Sequence, residues 1–302
     1  MLPGAGSKPW EFDPKVDAHA FRLLGFAETS AGIARTQREN REGWWAHSRH
    51  HKAFILDAAA RVERPRLAVV LGAGKAYDLP LEELAKRFER VVLVDIDAEA
   101  MAASSAAAVR DAGLRRRLEL RPMDVTGVTA HLAKEIDREV GSASNAASAE
   151  AALEALCGSY CLASPPRLVA PDERGDLLVS GLVLSQLGLQ PKLAAKRLFE
   201  QRFGKIARDS EARWSAVWDE LERRVQQDHV DALCEHADLA VLSSDVVHHS
   251  GGESWSVIGA DRLEERVPRF LEILARAAWG WERVRGAVRT DVHAMLLRRR
   301  PE

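Results

Sequence analysis

The stretch that most constrains this chain runs from Leu67 to Asp97. An apolar run, Leu67-Ala-Val-Val-Leu71, breaks at Gly72-Ala-Gly74, passes Tyr77 and Asp78 into a helical segment, and returns as Val91-Val-Leu-Val94 ending on Asp95. That order predicts a strand, a tight turn, a helix and a second, parallel strand. Two glycines one residue apart let the backbone turn sharply and come close to a ligand where a side chain would block it, and the helix that follows presents free N–H groups there. Asp95, at the carboxyl end of the second strand, is placed to take the two hydroxyls of a ribose. The helix is expected over Pro80 to Arg90, because Leu81, Leu84, Ala85 and Phe88 fall at i, i+3, i+4 and i+7. Asp78 is its expected N-cap, with Pro80 in the first turn.

A dinucleotide-binding turn reads G-x-G-x-x-G, with a small third residue so that helix and strand pack closely. Tyr77 occupies that third place and is too large. The segment more closely resembles motif I of the class I S-adenosylmethionine (SAM) methyltransferases. The resemblance implies that Gly72, Ala73, Gly74 and Tyr77 line the methionine portion of SAM, that Asp95 holds the ribose and that Ile96 lies against the adenine. It also gives Asp124, between Met123 and Val125 after the third strand, the role of accepting a hydrogen bond from the adenine amino group. Capping of the next helix is a second, compatible role for Asp124. Ser180, on the fourth strand, joins the cofactor-binding set by leaving room for the ligand. Two residues depart from the family pattern: Val70 stands where an acidic residue is usual, and Ala76 where a third glycine is.

With 43 basic and 45 acidic residues the net charge is −2, so nothing in the charge balance suggests an electrostatic partner such as nucleic acid or an anionic membrane. The clusters Arg115-Arg-Arg117 and Arg298-Arg-Arg300 read as solvated ends of elements. Three cysteines, at 157, 161 and 234, lack metal-type spacing and cannot all pair, which fits a reducing cytoplasm. No run reaches transmembrane length, and the N-terminus lacks the pattern of a signal peptide.

From about Val16 to Arg61 the composition is helical, and two or three helices are expected beside or over the nucleotide site. Within them Trp44-Trp45-Ala-His47-Ser-Arg-His50-His51 allows two readings. Trp44, Trp45 and His51 are candidate substrate-binding residues. Alternatively the Trp pair anchors a terminal helix to the domain, and the histidines at i, i+4 share one face without a further ligand type to make a metal site. Further on, an alanine-rich helix over Asp97 to Leu118 is capped by Asp97, and residues 141–172 read as a surface insertion with a short helix near Leu153 to Cys157 and a connection at Pro165-Pro166 and Pro171. A fourth strand is expected over Asp176 to Gln186, and Gln186 at its end is a candidate for substrate binding. Nucleic-acid and glutamine amino-methyltransferases carry an Asn/Asp-Pro-Pro-aromatic motif here; Ser180-Gly-Leu-Val183 is not one. Residues 190–236 are helical in pattern, with Trp214 and Trp218 at i, i+4, and one helix more than a single crossover needs. Strand five ends at Asp245 and is followed by a glycine-rich loop bearing His248 and His249, the candidate acid/base residues.

The chain closes with an expected helix over Asp261 to Ala278, then Trp279 to Arg285 and Arg289 to Arg299 as an antiparallel hairpin. Five parallel strands ending in such a hairpin are the strand order of class I methyltransferases. The expected fold is therefore α/β: a doubly wound, mostly parallel seven-stranded sheet with a C-terminal antiparallel hairpin, an N-terminal helical cap over residues 1–64, and a SAM-binding domain over residues 65–302 with insertions at about 141–172 and 190–236. The expected function is SAM-dependent methylation of a small molecule, without metal, nucleic acid or membrane. Alternatives that keep SAM are cyclisation or aminocarboxypropyl transfer, both releasing methylthioadenosine, and non-catalytic SAM binding, suggested by Val70 and Ala76.

Overall fold

A computed structural model describes residues 9–164, 166–170, 173–257 and 263–300. The expectations for residues 1–8, for Pro165 and Pro171 and for the start of the last helix at Asp261 fall outside these. Three helices come first, α1 (Ala18–Leu23), α2 (Phe26–Glu39) and α3 (Arg41–Ala60), followed by β1 (Leu67–Leu71), α4 (Leu81–Arg87), β2 (Arg90–Asp95), α5 (Ala98–Ala108), α6 (Ala112–Arg115) and β3 (Leu118–Pro122). Then come α7 (Thr129–Ser142), α8 (Ala146–Gly158), β4 (Gly175–Gly181), α9 (Leu189–Phe203), α10 (Arg208–His236), β5 (Ala237–Ser250), β6 (Glu253–Ser256), β7 (Leu271–Val284) and β8 (Val288–Arg299).

The strands lie in the order β3-β2-β1-β4-β5-β8-β7, with short β6 paired to β5. The first five are parallel and β8 runs antiparallel to both β5 and β7. Why β1, β2 and β4 read as unbroken apolar runs is visible in how they divide between two cores. Val69, Leu71, Val92, Val94 and Leu178 pack on one face with α1, α7, α8, α9 and α10. Ala68, Val70, Val91, Leu93, Leu177 and Val179 pack on the other with the end of α3 and with α4 and α5. A strand covered on both faces has no polar alternation to show.

Several elements differ from the sequence expectation. The segment expected to be helical up to Ala278 forms only a 3₁₀ turn at Leu263–Arg266 and then enters β7 at Leu271. Leu271 to Ala278 is alanine-rich, but β8 offers it a full row of backbone partners, and that pairing outweighs a helix preference of a few tenths of a kcal/mol per residue, roughly. Similarly, β5 does not stop at Asp245. It continues to Ser250 and turns back through Gly251 and Gly252, both at positive φ, as a two-residue hairpin into β6. His248 and His249 are thus on a strand and not in a loop. The 141–172 region is not a surface insertion alone: α8 is capped by an Asn145–Ser148 capping box and buries Ala149, Leu153 and Cys157 in the first core. The alanine-rich helix ends at Ala108, with Asp97 accepting from the Ala100 N–H as expected.

Candidate functional site

The parallel strands end in one row. Val94 pairs with Leu71, Leu71 with Ser180, and Ser180 with Leu242. The residues one step further are Asp95, Gly72, Gly181 and Ser243, so the chain places two glycines between two polar groups where the strands open. A cleft lies over this row, in two lobes that share Phe26, Gly72, Asp95, Ile96, Val183 and Gln186.

The first lobe, about 600 Å³, is apolar. Ile96, Met123, Val125, Val128, Leu132, Leu187 and Pro191 line it, with Gln190 and Thr126 among its few polar groups. Asp124 belongs to its wall, but both carboxylate oxygens are engaged. Oδ1 accepts from the Thr126 N–H (2.9 Å) and hydroxyl (2.7 Å), and Oδ2 from the Thr129 N–H (2.9 Å) and hydroxyl. The carboxylate therefore holds the start of α7 through Thr129, although the N-cap position itself is Val128 and not Asp124.

Asp95 stands where the lobes meet. Its Oδ2 accepts from the Gly74 N–H (2.9 Å) and its Oδ1 from the Asp97 N–H (2.7 Å), so the glycine turn itself orients the carboxylate. Burial pushes its pKa up to about 6, against these backbone hydrogen bonds. Gly72 has φ +69, and a Cβ there would lie 2.7 Å from the Val183 Cβ; Gly74 also has positive φ. Both glycines are required by backbone conformation, and Gly72 by space as well.

The second lobe, about 1090 Å³, is lined by the turn from Gly72 to Asp78, by Gly181 and Leu182, by Thr29, Ser30 and Ile33 of α2, and by Trp44, Asp245, Trp281 and Arg283. Asp78 is not the cap of α4, whose N-cap position is Pro80. Instead its Oδ2 lies 2.8 Å from His51 Nδ1 and 3.6 Å from His47 Nε2, while His51 Nε2 meets the Ser243 hydroxyl at 2.8 Å. Burial opposes the charge on Asp78, but the two imidazoles hold its carboxyl well below the usual carboxylate range. Two imidazoles and a carboxylate within 4.8 Å could suit a metal ion. The Trp279 indole N–H, however, donates to His47 Nδ1 at 3.0 Å. In the neutral ring that fixes the proton on Nε2, the very atom facing Asp78, so His47 offers a donor and no lone pair. Gly181 makes room for this group, since a Cβ there would sit 2.9 Å from His51 Cε1.

Of the residues singled out from sequence, Gly72, Ala73, Gly74, Tyr77, Asp95, Ile96, Met123, Asp124, Val125, Gln186 and Trp44 line one lobe or both. Others lie elsewhere. Ser180 is fully buried and its hydroxyl meets His229 Nε2 of α10 at 3.0 Å, beneath the cleft. His51 is behind the wall, and Trp45 is 64% exposed on the outer side of α3 with Arg49 over its ring. His248 contacts Thr290, and His249 contacts Ser254 and Asp291; neither lines the cleft. Asp245 and Arg283 were missed. Asp245 could have been found by the rule that ligands collect at the carboxyl ends of parallel strands. Arg283 could not: it falls in the expected hairpin strand Trp279 to Arg285, but the cleft it faces is set by how β8 pairs with both β5 and β7, which the hairpin pattern does not specify.

The strand order, with its glycine turn beside the switch between β1 and β4 and its closing antiparallel pair, is the Rossmann-like fold of the class I SAM-dependent methyltransferases. Solved structures similar to this chain include the N-methyltransferase NodS from Bradyrhizobium japonicum WM9, at 11% identity, covering 85% of this chain and 98% of that one, with a TM-score of 0.46. They also include the magnesium protoporphyrin IX methyltransferase ChlM from Synechocystis PCC 6803 with bound SAM, at 13% identity, 94% and 98% coverage and a TM-score of 0.45. The glycopeptide N-methyltransferase MtfA complexed with SAM is a third, at 13%, 83% and 94%, with a TM-score of 0.43. No family model matches the chain, and no curated protein matches its sequence.

Proposed function

We propose that this protein is a SAM-dependent methyltransferase acting on a small-molecule acceptor. The observation that carries the reading is the division of the cleft at Asp95. A carboxylate oriented by the glycine turn stands between an apolar lobe and a more polar lobe over the turn. Asp95 is suited to the ribose hydroxyls, Ile96, Met123 and Val125 to the faces of an adenine, and the backbone of Gly72 to Gly74 to the thioether arm. Bound there, SAM supplies an electrophilic methyl group. The chain's own contribution is to bind, to orient the acceptor and to exclude water, which in methyl transfer supplies much of the rate. Phe26, Thr29, Ser30 and Ile33 of α2 form part of the wall, which favours a small acceptor over a macromolecule. The net charge of −2 agrees with an acceptor other than nucleic acid, and among the described residues no helix is long and apolar enough to cross a membrane.

Calorimetric titration with SAM and with S-adenosylhomocysteine tests the reading. Saturable binding near micromolar strength is expected for both. Asp95→Ala should weaken each by about 10- to 100-fold, the worth of hydrogen bonds to a charged group. Absence of binding by the wild-type protein would remove the reading, and unchanged affinity in the variant would remove Asp95 from it.

A further inference from the structure

The second lobe contains a carboxylate that no described residue meets with an ion pair. Asp245 is 4% exposed, its Oδ1 is buried without a hydrogen-bond partner, and it forms no ion pair among the described residues. It lies at the point where β5 shifts register against β8, the kind of irregularity that re-aims a side chain. The charged and titratable groups near it are Arg283, Asp78 and His51. Asp78 and His51 already satisfy each other, and Arg283 attracts Asp245 without bonding to it. A buried, unpaired carboxylate is unfavourable until a cation meets it. Beside it the lobe is aromatic: Trp44 and Trp281 pack edge to face at 4.7 Å, both line the lobe, and indole rings attract cations.

We propose that Asp245 is an ammonium-binding residue and that the second lobe receives its acceptor as an alkylamine. An ammonium group could reach Asp245 from two sources, the acceptor or the amino-acid end of SAM. The proposal takes the first, and the titrations below separate the two. Asp95 on β2 and Asp245 on β5 are three strand steps apart, about 14 Å, so the two carboxylates serve different parts of whatever fills the cleft. The assignment of Asp245 to the acceptor rests on the SAM reading; the assignment of an ammonium group to Asp245 does not.

The test is calorimetric titration of the wild-type chain and Asp245→Asn, the isosteric variant that removes only the charge, after thermal melting has established that both are folded. The ligands are S-adenosylhomocysteine, methylthioadenosine, which lacks the amino-acid arm, and phenethylamine with 2-phenylethanol as its neutral counterpart. The last two are added both to the free protein and to protein saturated with S-adenosylhomocysteine. The expected result is that wild type prefers the amine to the alcohol, and that Asp245→Asn weakens the amine by about tenfold or more while leaving S-adenosylhomocysteine unaffected. Loss of S-adenosylhomocysteine affinity in the variant, with methylthioadenosine retained, would keep the ammonium site but assign it to the cofactor, overturning the acceptor assignment. If wild type takes up no phenethylamine, or takes it up as well as the variant does, and S-adenosylhomocysteine binding is also unchanged, the proposal fails. Should wild type bind neither nucleoside, the SAM reading fails by itself, and the amine titration of the free protein still decides the role of Asp245.

Discussion

Ala76 has φ +51, in the left-handed region, at the place where the resemblance leads one to expect a glycine. Its N–H closes a turn on the Ala73 carbonyl at 2.9 Å, so the conformation is imposed by the same turn that orients Asp95. An L-residue there costs about 1–2 kcal/mol, and glycine would return part of that gain through the unfolded chain, roughly 0.4–1 kcal/mol. Ala76→Gly is therefore expected to stabilise the protein by about 0.5–1 kcal/mol, measured by urea unfolding. A loss of stability would mean that the Ala76 methyl group, which packs against the second core, is worth more than the strain. The turn thus tolerates the departure from the motif without losing its shape, since the two glycines that no other residue could replace, Gly72 and Gly74, are present.

At the scale of elements, α3 decides how the second lobe is walled. Asn40 caps it, accepting from the Gly43 N–H at 3.3 Å and donating to the Glu282 carbonyl of β7, and Trp279 of β7 bonds to His47. Helix and edge strand approach so closely that a Cβ on Gly43 would lie 2.3 Å from the Glu282 carbonyl oxygen. In an isolated helix, glycine to alanine stabilises by up to about 1 kcal/mol. Here the sign should reverse. Gly43→Ala is expected to destabilise by about 1–3 kcal/mol, read as a lower unfolding midpoint, because it separates α3 from β7. A rise in the midpoint would show that the contact is looser than this packing. The close approach could not be read from sequence, where residues 16–61 declare a helical pattern but not the strand they pack on.

Across the whole molecule, stability against pH sums opposed buried groups. Burial and the nearby Asp78 push Asp245 up to about 6, with Arg283 opposing, and Asp95 also lies near 6; burial pushes His229 down to about 4. Between about pH 4 and 6 the folded protein keeps a proton on Asp245 that the unfolded chain has lost, so this group makes stability fall as pH rises. His229 acts the other way: the unfolded chain takes up a proton that the buried ring refuses, and its contribution is lost as pH falls from 6.5 towards 4. Asparagine at 245 imitates the protonated acid. Asp245→Asn should therefore be more stable than wild type by up to about 3 kcal/mol at pH 7.5, with the difference shrinking towards zero near pH 4. A difference independent of pH, in urea unfolding at both values, would mean that Asp245 is paired in solution.

The sequence by itself determined the β1-α4-β2 unit, the place of the glycine turn and Asp95, the first lobe's Ile96, Met123 and Val125, and the closing antiparallel pair. These depend on period, turn chemistry and chain order, which act locally. Tertiary structure alone decided that Leu271 to Ala278 is a strand, because pairing with β8 overrode an alanine-rich composition. It turned Ser180 away from the cleft towards His229, removed His248 and His249 to a hairpin, and engaged Asp78 with α3 in place of the α4 cap. It also brought Asp245 and Arg283 into one lobe from strands separated by a turn, a hairpin and a sheet partner. A carboxylate's partners are set by what the fold brings within 3 Å or so, and that distance is not encoded in its neighbours along the chain.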